Sequence, residues 1–335
     1  MHATVLPYRL PLKLPWVAAR TTLTERLGAL LHLIDADGHE GWGDCAPLPS
    51  GGDPQRVIDA LAAWACRPAA AEFDALPCEA RWAIETAQAD LAAQRQAKPL
   101  WRHLGGSCNG IAVNAALGPL DAGLPDRYAQ AAAQGFRIGK IKVGLASVEE
   151  EIARLFALPR TLCLRLDANR SWDESEARRF LFAIRALPID AVEEPLAQPS
   201  LETLAALQAA LPYALALDES LPGFSLAALT ESRAVRRLVV KPARLGGIRA
   251  TRRIAQAARD AGIELVLTTV IDSAIGVAAT AHLAAALSPD LAHGLGTSAW
   301  LADDLAAPPA IVGGVLQLPE TAGLGFTPAA ARGGG

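Results

Sequence analysis

Six residues of this 335-residue chain have types and spacing that could do chemistry together. Lys140 and Lys142 stand two apart in Gly139-Lys140-Ile141-Lys142-Val143. Asp167 closes Leu164-Arg165-Leu166-Asp167, and Glu193 closes Ala191-Val192-Glu193. Asp218 closes Leu215-Ala216-Leu217-Asp218, and Lys241 closes Leu238-Val239-Val240-Lys241. Each ends a short apolar run that reads as a buried strand, and a side-chain period of two puts both lysines of the first run on one face. Three carboxylates gathered on one rim are costly without a counter-charge. Hard oxygen donors with room for water and substrate oxygens suit Mg²⁺. A metal at the floor of a pocket with an amine on each wall suits proton abstraction next to a carboxylate. The metal and one lysine would stabilise the developing enediolate while another lysine moves the proton. A lysine becomes a base near neutral pH when a neighbouring ammonium and a metal lower its pKa, whereas arginine does not give up its proton. Only five of the 31 basic residues are lysines, and three of the five fall at these strand ends.

The elements that must position these residues follow a regular rhythm. From about 110 onward, short apolar strands alternate with Ala/Leu/Arg-rich helices. Strands are expected to end near Asn114, Lys142, Asp167, Glu193, Asp218, Lys241, Thr269 and His293. The interval is roughly 25 residues, the signature of a (β/α) barrel, whose active site lies at the C-terminal strand ends. An open doubly wound sheet would ordinarily carry a Gly-rich phosphate turn after an early strand, and none is seen. The first hundred residues read differently. Strand-like runs at 2–14 and 21–34 and a turn at Asp35-Ala36-Asp37-Gly38 precede a Pro/Gly loop from Pro47 to Pro54. Helices are expected over about 55–66 and 78–97, the second stopped by Pro99. The expected organisation is therefore an α+β unit over 1–105, a barrel over 106–305, and a Pro/Gly-rich segment over 306–335 that packs back on the first unit.

The remaining polar residues have plainer readings. Arg165, two before Asp167, points inward, as either a buried ion pair or a contact to a substrate carboxylate. Glu194 and Glu219 directly follow ligand candidates, so they should face away and support them or begin helices. His293 reads as a core histidine with its hydrogen bonds met. The five cysteines, at 45, 66, 78, 108 and 163, lack C-x-x-C spacing. They suggest neither a zinc knuckle nor a disulfide framework, and are expected to be inert core residues in a reducing cytoplasm.

These residues resemble the enolase superfamily, in its muconate-lactonising-enzyme-like branch. The pattern that carries the resemblance is Lys140-x-Lys142, Asp167-Ala-Asn169, Glu193-x-Pro195, Asp218-Glu-Ser220 and Lys241-Pro-x-x-x-Gly-Gly. It extends over nearly the whole chain. Gly41-Trp42-Gly43-Asp44-Cys45-Ala46-Pro47-Leu48-Pro49 resembles the capping loop of o-succinylbenzoate synthases, as does the stretch from Leu164 to Trp172. The resemblance implies a modified TIM barrel, (β/α)7β, under an N-terminal α+β capping domain. It implies Mg²⁺-dependent dehydration of 2-succinyl-6-hydroxy-2,4-cyclohexadiene-1-carboxylate to 2-succinylbenzoate in menaquinone synthesis. By carry-over, Asp167, Glu193 and Asp218 bind Mg²⁺, with Mn²⁺ as an expected substitute. Lys142 is the base and then the acid, and Lys241 is the cation on the opposite face. Lys140 holds the substrate carboxylate and lowers the pKa of Lys142, while Asn169, Thr268 and Gly294 contact substrate. Asp44 stands where the family usually has Glu. Thr268-Thr269 and Asp272-Ser273 replace its usual Ser-Ser and Glu-Ser, which bears on the substrate more than on the reaction class.

Composition narrows the other classes. A net charge of −4 disfavours nucleic acid as a partner. No signal peptide is read at the N-terminus, and the uncharged region near 273–302 carries Gly, Ser, Thr, Pro and His282, like buried protein rather than a membrane span. The expected partner is a small-molecule carboxylate. The nearest rival is a racemase or epimerase on the same scaffold. Gly296-Thr297-Ser298 stands where dipeptide epimerases carry an Asp-x-Asp pair, which argues against a free-amine substrate. An acylated nitrogen is neutral, so N-succinylamino acid racemisation stays open. A muconate-type cycloisomerase fits the capping loop less well. A barrel that merely binds carboxylates, without turnover, has no need of both lysine walls.

Overall fold

The computed structural model describes residues 1–18, 21–67, 70–326 and 328. Strands β1 (His2–Ala18), β2 (Thr21–Ile34) and β3 (Glu40–Cys45) pair antiparallel in the order β1-β2-β3. Helices α1 (Pro54–Cys66) and α2 (Cys78–Arg95) cover this sheet, and Leu31, Leu33 and Cys45 meet Leu61, Ala83, Ile84, Ala87 and Leu91 in a shared core. The Asp53 carboxylate caps α1 and Pro54 opens it, a pairing suited to a helix start. Gly41 and Gly43 let β3 lie almost against α2. A Cβ at 43 would sit 1.9 Å from the Ala83 carbonyl oxygen, and one at 41 would sit 2.2 Å from that of Ala87. The Gly-Trp-Gly of the sequence is thus a packing requirement, with Trp42 stacked on His32 at 3.8 Å.

A short helix, α3 (Leu100–His103), leads to β4 (Gly110–Ala112) and then to alternating strands and helices. The strands are β5 (Ala115–Pro119), β6 (Ile138–Lys142), β7 (Cys163–Asp167), β8 (Ile189–Glu193), β9 (Ala214–Leu217), β10 (Arg237–Val240) and β11 (Glu264–Leu267). The helices between and after them are α4 (Leu124–Ala133), α5 (Val148–Phe156), α6 (Glu174–Ala183), α7 (Leu201–Ala209), α8 (Leu226–Ser232), α9 (Pro242–Leu245), α10 (Ile248–Asp260) and α11 (Ala274–Leu287). The seven strands form one parallel sheet in sequential order. Strands such as β9 and β10 are buried along their whole length, as parallel strands covered on both faces must be. Serine or aspartate caps start five of the helices, Ser147, Asp173, Ser200, Ser225 and Ser273 each accepting a backbone N–H of the first turn.

The sheet curls until its outer strands share a neighbour. His293 N–H donates to the Ala112 carbonyl and its carbonyl accepts from Asn114 N–H, while Gly294 N–H donates to Leu267 and its carbonyl accepts from Thr269. A second small sheet lies at the start of the parallel one. Strand β13 (Val315–Gln317) pairs antiparallel with both β12 (Ile311–Val312) and β4. Beyond it, Gly323 exchanges backbone hydrogen bonds with Lys98 and Leu100, and Leu324 N–H donates to Asp90. The tail therefore touches both the start of the parallel sheet and the end of α2.

Three expectations need correction. The strand expected to end near Asn114 is two elements, β4 before it and β5 after it, because the Asn114 peptide turns to bond His293. The second helix stops at Arg95 rather than 97, since Ala97 takes a positive φ of 50° that closes the helix. The cysteines are not uniformly core: Cys45 is buried, Cys78 and Cys108 are half-buried, and Cys66 and Cys163 are exposed at a helix end and a strand start. Among the described residues no helix is long and apolar enough to cross a membrane.

Candidate active site

Register brings the chemistry-bearing residues onto one rim. Lys142 is the direct partner of Asp167 across β6 and β7, and Asp167 is the partner of Glu193 across β7 and β8. Adjacent parallel strands lie about 4.8 Å apart, so these three side chains form one rung at the C-terminal ends of their strands. Asp218 and Lys241 come one residue after the ends of β9 and β10. Along β6 the exposure alternates, Lys140 and Lys142 partly open and Gly139 and Ile141 buried, so both lysines share a face.

Two of the three lysines lie against the carboxylates. The Lys140 ammonium lies 2.8 Å from Asp167 and 2.5 Å from Glu193, and Lys241 is bonded to both oxygens of Asp218. The physical reason is the one that makes the site chemical: clustered carboxylates require a cation, and the nearest ammonium groups supply it. Burial works against the charge on Lys140, but Glu193, Asp167 and Asp218 outweigh it and raise its pKa well above the ordinary lysine range. Asp167 is also disfavoured as an anion by burial, yet Lys140 holds its pKa down. Among the described residues Lys142 makes no ion pair. The donor set fits a hard divalent cation: three carboxylates on neighbouring strand ends, already drawn to positive charge, with no nitrogen or sulfur ligand among them. The three are spread wider than a closed cage. Among the described residues, the group whose ligand atoms all fall within 4.8 Å is Asp35, Asp37 and His39. That group is a turn in which Asp35 is taken by Arg95 and by the backbone N–H groups of Asp37 and His39.

The other expected site residues fall as follows. Asn169 takes the left-handed conformation (φ 45°), bonds its N–H to Asp167 and its amide to Glu219 at 3.3 Å. The Thr268 hydroxyl donates to the Gly294 carbonyl at 2.9 Å, and a Cβ at Gly294 would meet that hydroxyl at 2.4 Å. Thr268 and Gly294 thus form one tight contact at the end of β11. His293 is a core histidine as expected, its Nδ1 accepting from Leu267 N–H and its Nε2 facing the Ser288 carbonyl. For Arg165 the structure selects the ion pair. It is 1% exposed and bonds Asp190, Asn114 and the Ala292 carbonyl. Asp190 also takes Arg237, which reaches Glu264, so a buried charge network fills the sheet interior beneath the rim.

Glu194 takes the supporting role expected of it, and Arg26 goes beyond what residue types alone announce. Glu194, at φ 47° and fully buried, accepts the N–H groups of Asp218 and Ser220 and the Ser220 hydroxyl. It therefore fixes the backbone that presents Asp218. Burial pushes its pKa up to about 7. Arg26, buried in β2, carries no signal of its burial in the sequence, where it follows Glu25 and reads as one of a pair of ordinary strand charges.

Comparison with known proteins agrees with this geometry. Residues 124–332 match the family described as Enolase C-terminal domain-like. The chain is 31% identical over 311 residues to the o-succinylbenzoate synthase of Edwardsiella ictaluri, covering 88% of this chain and 90% of that protein. It is 32% identical over 272 residues to the L-Lys-D/L-Arg epimerase of Methylococcus capsulatus, covering 78% of this chain and 75% of that protein. The crystal structure of a dipeptide epimerase from Enterococcus faecalis, complexed with Mg and the dipeptide L-Leu-L-Tyr, superposes with a TM-score of 0.83 at 25% identity. That match covers 97% of this chain and 98% of the other.

Proposed function

The chain belongs to the enolase superfamily, in its muconate-lactonising-enzyme-like branch, and on that basis we propose that it is an o-succinylbenzoate synthase. In this reading it removes water from 2-succinyl-6-hydroxy-2,4-cyclohexadiene-1-carboxylate to give 2-succinylbenzoate, as a cytoplasmic lyase of menaquinone synthesis. The curled sheet is read as a closed (β/α)7β barrel over 106–305, with 1–105 as its cap and 306–335 as the segment that ties the two. The observation that carries the proposal is the single rung of Lys142, Asp167 and Glu193, continued by Asp218 and Lys241.

In the proposed mechanism Asp167, Glu193 and Asp218 would hold Mg²⁺. When bound, the ion supplies a Lewis acid for negative charge developing on a substrate carboxylate. Lys142, as the neutral amine, takes the proton from the carbon bearing that carboxylate. The resulting enediolate is stabilised by the Lys241 ammonium. The Lys142 ammonium then returns its proton to the departing hydroxyl, so water leaves, the ring becomes aromatic and the amine is regenerated. Lys140 is bound to carboxylates here, so its role is to pair charge on the rim and meet the substrate carboxylate. Asn169, Thr268 and Gly294 are assigned to substrate contact.

The test is a Mg²⁺-dependent assay of the purified protein on the cyclohexadiene carboxylate, followed by absorbance. Fast dehydration supports the synthase. Fast deuterium uptake at the α-carbon of N-succinyl amino acids, with negligible dehydration, moves the function to an N-succinylamino acid racemase. The observation that favours this second reading is the presence of lysines on both sides of the carboxylates, each able to carry a proton. A free-amine epimerisation is not favoured, because Gly296-Thr297-Ser298 offers no carboxylate to an α-ammonium group.

A further inference from the structure

Behind the end of β11, two loops that share no secondary structure are bolted together by side chains from the first sheet. Arg26 is 1% exposed, and no carboxylate oxygen lies within bonding distance of it among the described residues. Its guanidinium instead spends its fork on three carbonyls: Nε on Ile271 at 2.8 Å, Nη1 on Pro47 at 3.0 Å, and Nη2 on Ala46 at 2.5 Å. The first belongs to the turn that runs from Thr268 to the start of α11, and the other two to the capping loop. Asp44 makes the reciprocal link. It is 2% exposed and accepts the Tyr8 hydroxyl at 2.6 Å, the Ser273 hydroxyl at 2.8 Å and the Ser273 N–H at 3.2 Å. One guanidinium and one carboxyl group thus each tie the 268–273 turn to the 44–47 segment, and a planar fork of fixed geometry leaves little freedom between them.

We infer that Arg26, Asp44 and Ser273 form a positioning latch that sets the capping loop against the turn carrying Thr268, and so governs how well substrate is held. The inference rests on the functional reading above, in which Thr268 contacts substrate. The latch touches neither Lys142 nor the metal-ligand carboxylates, so loosening it weakens binding while leaving proton transfer intact. It also gives the two acidic departures in this chain a common setting, since Asp44 bonds Ser273 directly and Asp272 is the residue before it.

The experiment compares the full-length wild type with Ser273→Ala, Ser273→Thr and Asp44→Asn. It measures kcat and KM, together with backbone hydrogen exchange of peptides spanning 44–50. Ser273→Ala removes both the bond to Asp44 and the cap of α11, whereas Asp44→Asn alters the link and keeps the cap, and each is expected to raise KM about tenfold. A purely binding effect leaves kcat within about threefold. Ser273→Thr, which keeps the hydroxyl, restores both KM and exchange protection. Equal losses in kcat and kcat/KM would place these residues in the chemistry and overturn the latch, as would unchanged KM in Ser273→Ala. Should the wild type prove a racemase, the same split is read on N-succinyl amino acids. Should it turn over neither substrate, the functional reading fails, and the exchange data alone decide the latch: faster exchange at 44–50 in Ser273→Ala upholds it, and unchanged exchange ends it.

Discussion

Replacing His282 with asparagine isolates the share of one buried histidine in stability toward acid. His282 sits on α11 without exposure, its Nδ1 accepting the Trp101 N–H at 3.0 Å and its Nε2 facing the Leu324 carbonyl at 3.4 Å. Burial holds its pKa down at about 4, against an ordinary 6.5. Between those values the unfolded chain binds a proton and the folded chain does not. Stability is therefore complete above 6.5 and lost as pH falls through 6.5 toward 4. The full gap is worth ~3 kcal/mol, and about 2 kcal/mol of it is gone by pH 5. With an unfolding entropy near ~2.1 cal/mol/K per residue, 2 kcal/mol in a chain of this length moves Tm by about 3 °C. The raw pH curve does not read this cleanly, because Asp90 and Asp272, both pushed up to about 7 by burial, stabilise the fold as pH falls. Asparagine keeps an oxygen where Nδ1 stood and does not titrate, so subtracting the variant cancels the carboxylates. The assay is Tm by circular dichroism at pH 7 and pH 5 for both proteins. The wild type should lose about 3 °C more than His282→Asn over that interval. Parallel losses would refute the claim that this ring is held neutral.

Other expectations follow from the site and its supports. Lys142→Ala should cost at least about 10³-fold in kcat while leaving the melting curve and Mg²⁺ binding by calorimetry unchanged; retained turnover would sink the assignment of this lysine as the base. Lys241→Ala should be similarly severe in kcat, since it removes the cation at the developing charge. Asp218→Asn should chiefly weaken Mg²⁺ binding, read as a shift of the metal titration midpoint in the activity assay. Gly43→Ala should destabilise the fold by about 3 kcal/mol, because its Cβ would press into the Ala83 carbonyl and part β3 from α2; a denaturant midpoint equal to wild type would contradict this contact.

The rim was legible because three things coincide there. Parallel strands covered by helices are short and largely apolar, and Lys142, Asp167 and Glu193 each stand at the last position of such a strand. The rhythm of strand and helix supplied their order, and register did the rest. The network beneath was not legible. Asp190 stands 25 residues from Arg165 and 47 from Arg237, and each alone reads as an ordinary charge near a strand. The same rhythm points to a strand ending near His293, and a partner for both outer strands does lie there, but it is only a pair of bridges at His293 and Gly294, because each of these residues bonds a different neighbour. The lysine contacts could not be foreseen from types either, since side-chain reach decides that Lys140, one rung below, pairs with Asp167 and Glu193. Arg26 escaped because its partners are carbonyls, which carry no identity in a sequence.

The pairing of β4 with β13 has a consequence for how this chain is made. Residues 110–112 wait for 315–317, and the first parallel strand waits for residue 293 on its open side. At ribosomal rates of 5–20 residues per second, about 200 residues of delay amount to roughly 10–40 seconds. During that interval the leading edge of the sheet offers unpaired backbone to any strand that meets it. Completion of the sheet is thus a late event of biogenesis, and the nascent chain, more than the finished enzyme, is the form that needs protection from aggregation.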